Sequence, residues 1–315
     1  MAEKLTLPPP SANQTYVTIS ALDGGSLTLP ESLFITDADP SKRTTVPSLC
    51  FLIRHTSPST SKTITLVFDL GLKRDFTKYT ASQQHHIAQR QPTSTSPDVA
   101  DSLRKGGIQP EDIDVVVLSH VHWDHIGTPS DFPNSKFVVG SGTLNLLANG
   151  GGYLYPKELF NHDELPFDRT YELPPVDPGA KTAARKQTEH KWETLPGFGL
   201  DVVDYFGDGS VFIADSPGHL FGHVNLLARV GEGRWVYLGG DCCHDVRILK
   251  GEKGIALYSD GCGGSRSVHV DTEAARGTIG AIGKLMREVE GVEVVVAHDG
   301  GWREENRGRF LPGTL

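Results

Sequence analysis

Apolar residues recur along this chain in short runs broken by Gly, Pro and polar turns, a rhythm of strands more than of long helices. Residues 16–20 and 26–29 read as short strands joined by a turn at Asp23-Gly24-Gly25. Residues 46–55 and 63–68 form a hairpin across a Ser/Thr-rich connection, and the second strand runs into Phe68-Asp69-Leu70-Gly71. Asp98 or Ser96 caps a helix through Val99, Leu103 and Arg104 that Gly106-Gly107 stops. Strands at 115–118 and 136–140 follow, then a helix around Leu144 to Leu147. From residue 198 the β pattern returns at 199–203, 210–214, 224–230 and 234–238. Ile279, Ile282, Leu285, Met286 and Val289 keep helical period behind a cap at Asp271 or Thr272, and 292–297 is a last strand.

Two stretches stand outside this rhythm. Residues 1–14, rich in Pro, Ser and Asn, read as a flexible arm. Residues 149–193 read as a long loop insertion, and the aromatics Tyr153, Tyr155 and Phe160 suggest a lid over a substrate. The basic run 181–191 within it reads as solvated loop, and His85 and His86, in the polar stretch 73–97, read as exposed.

At 315 residues the chain can bury a substantial core, and 37% apolar with 22% charged residues is ordinary for a globular protein. The net charge of −9 argues against a general nucleic-acid binder. No apolar stretch resembles a signal peptide or a membrane span, so cytoplasmic residence without a membrane partner is the default expectation. The four cysteines, Cys50, Cys242, Cys243 and Cys262, form no C-x-x-C pair and indicate neither a disulfide framework nor a thiolate zinc site. Nothing in the sequence fixes an oligomeric state.

The candidate chemistry lies directly after the strand at 115–118. Ser119-His120-Val121-His122-Trp123-Asp124-His125 offers four potential ligands within six residues, all imidazole or carboxylate donors. In extended backbone His120 and His122 share a side. A following turn carries Asp124 and His125 towards a second point, so the spacing suits two adjacent metals better than one. Three further candidates sit where strands stop: His219 in Ser216-Pro217-Gly218-His219, with His223 four residues on; Asp241 after Leu238-Gly239-Gly240; and His298 after Ala297. Singly these are ordinary strand-end residues. Their repeated position is the signal.

This ordered set, His-x-His-x-Asp-His followed by a later His, Asp and His, resembles the metallo-β-lactamase superfamily over about residues 46–299. The resemblance implies an α/β fold: a four-layer αββα sandwich of two mixed β-sheets flanked by helices, forming one domain over 15–315. It implies that His120, His122 and His219 hold one divalent ion, that Asp124, His125 and His298 hold a second, and that Asp241 bridges them. Zinc is the first expectation, with manganese, iron or cobalt compatible with the donors. Asp69 matches the family's first motif, with Leu70 where the family usually has Thr, and is expected to support the metal loop from behind, as is His223.

The Pro-Gly-His, Gly-Asp and Ala-His-Asp motifs are similar to the lactonase and glyoxalase branch. Two close metals lower the pKa of a shared water, which makes hydroxide attack on a carbonyl the expected chemistry and opening of a small lactone the leading reaction. Acyl-homoserine-lactone lactonases carry a Tyr three residues after the bridging Asp. Here His244 takes that position, and with Asp124 it is the expected catalytic pair. Trp123, Tyr153, Tyr155, Leu220 and Phe221 are expected to wall the substrate pocket. The alternative is hydrolysis of a γ-lactam or cyclic carbamate, as in fungal enzymes of this fold that act on benzoxazolinones. A glyoxalase-type thioesterase stands further off for want of a convincing basic C-terminal glutathione site, and a non-catalytic binding protein because no ligand position is missing; a mononuclear iron oxygenase shares much of the motif and is a further, less favoured reading.

Overall fold

A computed structural model of the chain describes residues 4–177, 186–261 and 263–315. Strands β1 (Thr18–Pro30), β2 (Arg43–Thr56), β3 (Thr63–Phe68), β4 (Val115–Val117), β5 (Lys136–Val139) and β6 (Thr170–Glu172) lie side by side in that order. The first three are antiparallel neighbours and β3 to β6 run parallel. Helices α1 (Ala81–Ala88), α2 (Val99–Lys105) and α3 (Thr143–Asn149) fall within this half.

The second sheet contains β7 (Glu193–Thr194), β8 (Asp201–Asp204), β9 (Val211–Asp215), β10 (Val224–Gly231) and β11 (Arg234–Leu238). After helix α4 (Val246–Leu249), a small hairpin of β12 (Tyr258–Ser259) and β13 (Ser265–Arg266), and helix α5 (Thr272–Glu288), strand β14 (Val292–Val295) returns to pair beside β11. The spatial order is β14-β11-β10-β9-β8-β7, and a short α6 (Gly300–Glu305) follows β14.

Period-2 geometry explains why the central strands read as unbroken apolar runs. Leu49, Phe51 and Ile53 of β2 face Val236 and Leu238 of β11 in the core between the sheets. Cys50 and Leu52 on the other face of β2 pack with Val99 and Leu103 of α2 and Leu146 of α3. Trp235 and Tyr237 on the other face of β11 meet Ile279, Ile282 and Leu285 of α5. The layers are therefore helix, sheet, sheet, helix. No helix among the described residues is long and apolar enough to cross a membrane.

Several expectations need correction. The Asp23-Gly24-Gly25 turn is a bulge inside the single strand β1, whose register against β2 shifts between Asp23 and Ser26. Glycines in a strand mark bulges as well as turns, and Gly25 takes a φ of +97°. Residues 4–14 are not a loose arm: Leu5 is buried in the core, the Thr6 amide donates to Pro196 O, and Arg229 donates to Pro8 O. The stretch 149–193 is not wholly loop, since it supplies the edge strand β6 and begins β7. Pro178 and residues 181–185 of the basic run lie outside the described residues, as does Cys262.

Candidate metal centre

Strands β3 and β4 run parallel, as do β11 and β14, and β9 points the same way as β11 because both are antiparallel to β10. Their C-terminal ends deliver Asp69, the 120–125 turn, His219, Asp241 and His298 to one edge of the sandwich. The turn after β4 is tight. The His125 and Ile126 amides donate to His122 O, the Leu70 amide donates to His125 O, and Ser48 Oγ donates to Asp124 O at 2.7 Å. Gly240 is required just before Asp241: its φ is +47°, and a Cβ there would lie 2.9 Å from the Ser119 Cβ.

Two groups of donor atoms result. His120 Nε2 lies 2.9 Å from His122 Nδ1, which is 3.0 Å from His219 Nε2, and Asp241 Oδ2 is 3.4 Å from that nitrogen. On the other side Asp241 Oδ1 is 3.1 Å from His125 Nε2 and 3.2 Å from His298 Nε2, with Asp124 Oδ2 3.6 Å from His298. The candidate ligand atoms lie within 4.8 Å of one another in each of three overlapping sets: His120, His122, His219 and Asp241; Asp124, His125 and His298; and Asp241, His244 and His298. One carboxylate thus faces both groups, one oxygen to each.

The hydrogen bonds behind the rings decide which nitrogen faces the centre. His125 Nδ1 donates to Asp69 Oδ2 at 2.8 Å. His298 Nδ1 donates to Pro47 O at 2.8 Å. Asp69 also accepts from the Ser119 amide and hydroxyl, so His120 Nδ1 donates to Ser119 Oγ. His219 Nδ1 is 3.3 Å from His269 Nδ1. Four imidazoles therefore have their Nδ1 occupied and turn Nε2 inward. His223 is different: its Nδ1 donates to Ser216 O and its Nε2 accepts from the Asp241 amide, so both nitrogens are spent and it positions Asp241 instead.

This donor set fits a cation. His125 Nε2, His298 Nε2 and Asp241 Oδ1 are buried without a hydrogen-bond partner, although the carboxylate oxygen lies 3.1 and 3.2 Å from the two nitrogens. Burial pushes His120 and His219 well below the ordinary histidine value and brings His122 down to about 4, leaving neutral rings with lone pairs. Around His125 burial opposes charge, but Asp241 and Asp69 outweigh it and hold the imidazole well above its usual value. That field favours any positive charge at the same point. Asp241 is held well below the carboxylate range against its burial by His125, His298 and His244.

Two cavities meet at this edge. The one of about 460 Å³ is lined by His122, Asp124, His219 and Asp241 and is walled by Trp123, Tyr155 and Phe160. A larger one of about 680 Å³ touches only His244 and His298 of the cluster. The smaller cavity is the one that residues of both ligand groups border. Trp123 and Tyr155 line it as expected, but Tyr153, Leu220 and Phe221 do not. Tyr153 is 92% exposed beyond the wall, Phe221 packs its ring edge towards Gly151 at the surface, and Leu220 is buried in the core under α3. Contrary to its reading as exposed, His86 is half-buried and lines the cavity, whereas His85 is exposed. His244 rests on Phe34 with ring centroids 4.5 Å apart, its Nε2 3.1 Å from Asp241 Oδ2. His269 had no sequence signal, because it lies in irregular chain between β13 and α5.

Residues 43–239 match the family model described as the metallo-beta-lactamase superfamily. The chain is 31% identical over 317 residues to a Penicillium brevicompactum protein named cytochrome P450 monooxygenase mpaDE', covering 94% of this chain and 34% of that one. Gamma-lactamase MBL2 of Gibberella moniliformis is 30% identical over 185 residues, covering 57% of this chain and 70% of its own length. The chain spans about a third of the length of the first curated relatives it matches. A crystal structure of a quorum-quenching N-acyl homoserine lactone lactonase superposes with a TM-score of 0.61 over 100% of both chains at 16% identity, a likeness of fold alone.

Proposed function

The chain belongs to the metallo-beta-lactamase superfamily, and on that footing we propose that it is a binuclear metal-dependent hydrolase that opens the ring of a small lactone. The observation that carries this reading is Asp241, whose two carboxylate oxygens face two separate ligand groups. His120, His122 and His219 would hold one divalent ion and Asp124, His125 and His298 the other, with Asp241 shared between them. Zinc suits these donors first; manganese, iron and cobalt also fit. Bound there, the ions would supply Lewis acidity and activation of water at neutral pH.

The chain's own groups do the rest. Asp124 borders the smaller cavity and orients the water that attacks the ring carbonyl. His244, braced on Phe34, turns Nε2 towards the same space and donates a hydrogen bond to the substrate oxygen. Trp123, Tyr155 and Phe160 exclude bulk water and receive the apolar part of the ring compound.

A second reading is opening of a γ-lactam or cyclic carbamate. It is favoured by the gamma-lactamase relative and by His244 in place of the Tyr expected of lactonases. The test is turnover of matched five-membered lactones, lactams and cyclic carbamates by metal-loaded protein. Faster opening of the lactone supports the first reading, exclusive opening of the nitrogen-containing rings replaces it with the second, and inertness towards all three defeats both.

A further inference from the structure

The smaller cavity carries two guanidinium groups that ring opening does not use. Arg90 follows α1, where its amide donates to Ile87 O and its carbonyl accepts from the Thr28 amide, so its backbone is pinned. Arg266 stands on β13 opposite Tyr258 of β12. Both side chains line the cavity with Tyr258 and Tyr155.

Neither has an acidic partner among the described residues, unlike Arg74, Arg247, Arg303 and Arg309, each of which pairs with a carboxylate. Arg266 Nε is buried without a hydrogen-bond partner, and its guanidinium carbon lies 5.2 Å from the Tyr258 ring centroid. The Arg90 guanidinium makes one long contact, 3.5 Å to the Gln89 carbonyl, and its burial works against its charge. The acidic residues lining this cavity are Asp124 and Asp241, both part of the ligand groups. What remains on the wall is positive.

A guanidinium partly withdrawn from water with no carboxylate paired to it is costly, and an anion on a ligand would offset that cost. The planar fork of Arg matches a carboxylate through two parallel N–H···O bonds. We propose that the substrate carries, besides the ring to be opened, an anionic oxyacid group, a carboxylate in the first instance, which Arg90 and Arg266 hold at the tyrosine-lined end of the cavity. The proposal deepens the hydrolase reading and rests on it for the identity of the ring.

The experiment uses a γ-lactone bearing a benzoate group and the same compound with a primary amide in place of the carboxylate. Calorimetric affinity for both is measured on metal-loaded wild type, Arg90→Gln, Arg266→Gln and Arg266→Lys, with metal content and circular dichroism as controls. Wild type should bind the carboxylate at least about tenfold more tightly, and each glutamine variant should bring the two compounds within about threefold. Arg266→Lys, which keeps the charge and loses the fork, should fall between. Equal affinities in wild type overturn the proposal. So does a preference undiminished in both glutamine variants, the result if the metals capture the carboxylate, and so does failure to bind either compound. Ring opening followed in the same samples separates the two ideas. Discrimination without opening defeats the lactone reading alone, and opening without discrimination defeats this inference alone.

Discussion

The Asp69 carboxylate accepts from His125, from the Ser119 hydroxyl and from the Ser119 amide, and through them it orients two candidate ligands at once. Such backing groups are worth about 10–100-fold in metal affinity. Asp69→Asn should therefore weaken metal binding by about that factor, measured by chelator competition, while unchanged affinity would show that the imidazoles are held without it. At the C-terminal end of β9, burial, with Asp201 nearby, raises the half-buried Asp215 carboxyl to about 6. The unfolded chain releases that proton near pH 4. Between about pH 4 and 6 the folded state holds a proton that the unfolded state has lost, so stability falls as pH rises through that window. Asp215→Asn removes the effect: it should match wild type near pH 4 and exceed it by about 1–3 kcal/mol at pH 8 in urea titrations. A difference constant with pH would contradict the assignment. The ligands themselves were legible because four lie in one contiguous motif and the others follow strand ends. His269, Arg90 and Arg266 were not, because only tertiary packing brings them to the centre or its cavity.

Helix α5 shows how far periodicity reaches. Its apolar stripe gave the inward face, the cap falls on Asp271 of the two candidates Asp271 and Thr272, and Ile282 and Leu285 are fully buried against the second sheet. Ile282→Ala should cost about 2–5 kcal/mol of unfolding free energy in denaturant titrations. A loss under about 1 kcal/mol would mean that the face packs loosely. Strands buried on both sides were equally legible. The bulge in β1 was not, since a glycine pair reads alike as turn or bulge. Helix α1 was missed although Thr80 and Gln83 form a capping box, a signal present in the sequence but masked by the helix's polar composition. Strand β6 is three residues at a sheet edge, too short to show alternation.

The centre draws on five strand ends from two sheets, so its donors converge only once the sandwich has closed, and metal binding and folding are linked. Asp241 is the residue on which the binuclear claim turns. The decisive measurement is metal content per chain, by plasma mass spectrometry, of reconstituted wild type and Asp241→Ala, each checked for retained fold. The account predicts about two divalent ions in wild type and fewer than about one in the variant. A wild type that takes up no metal, or a variant that still holds two ions, would contradict it.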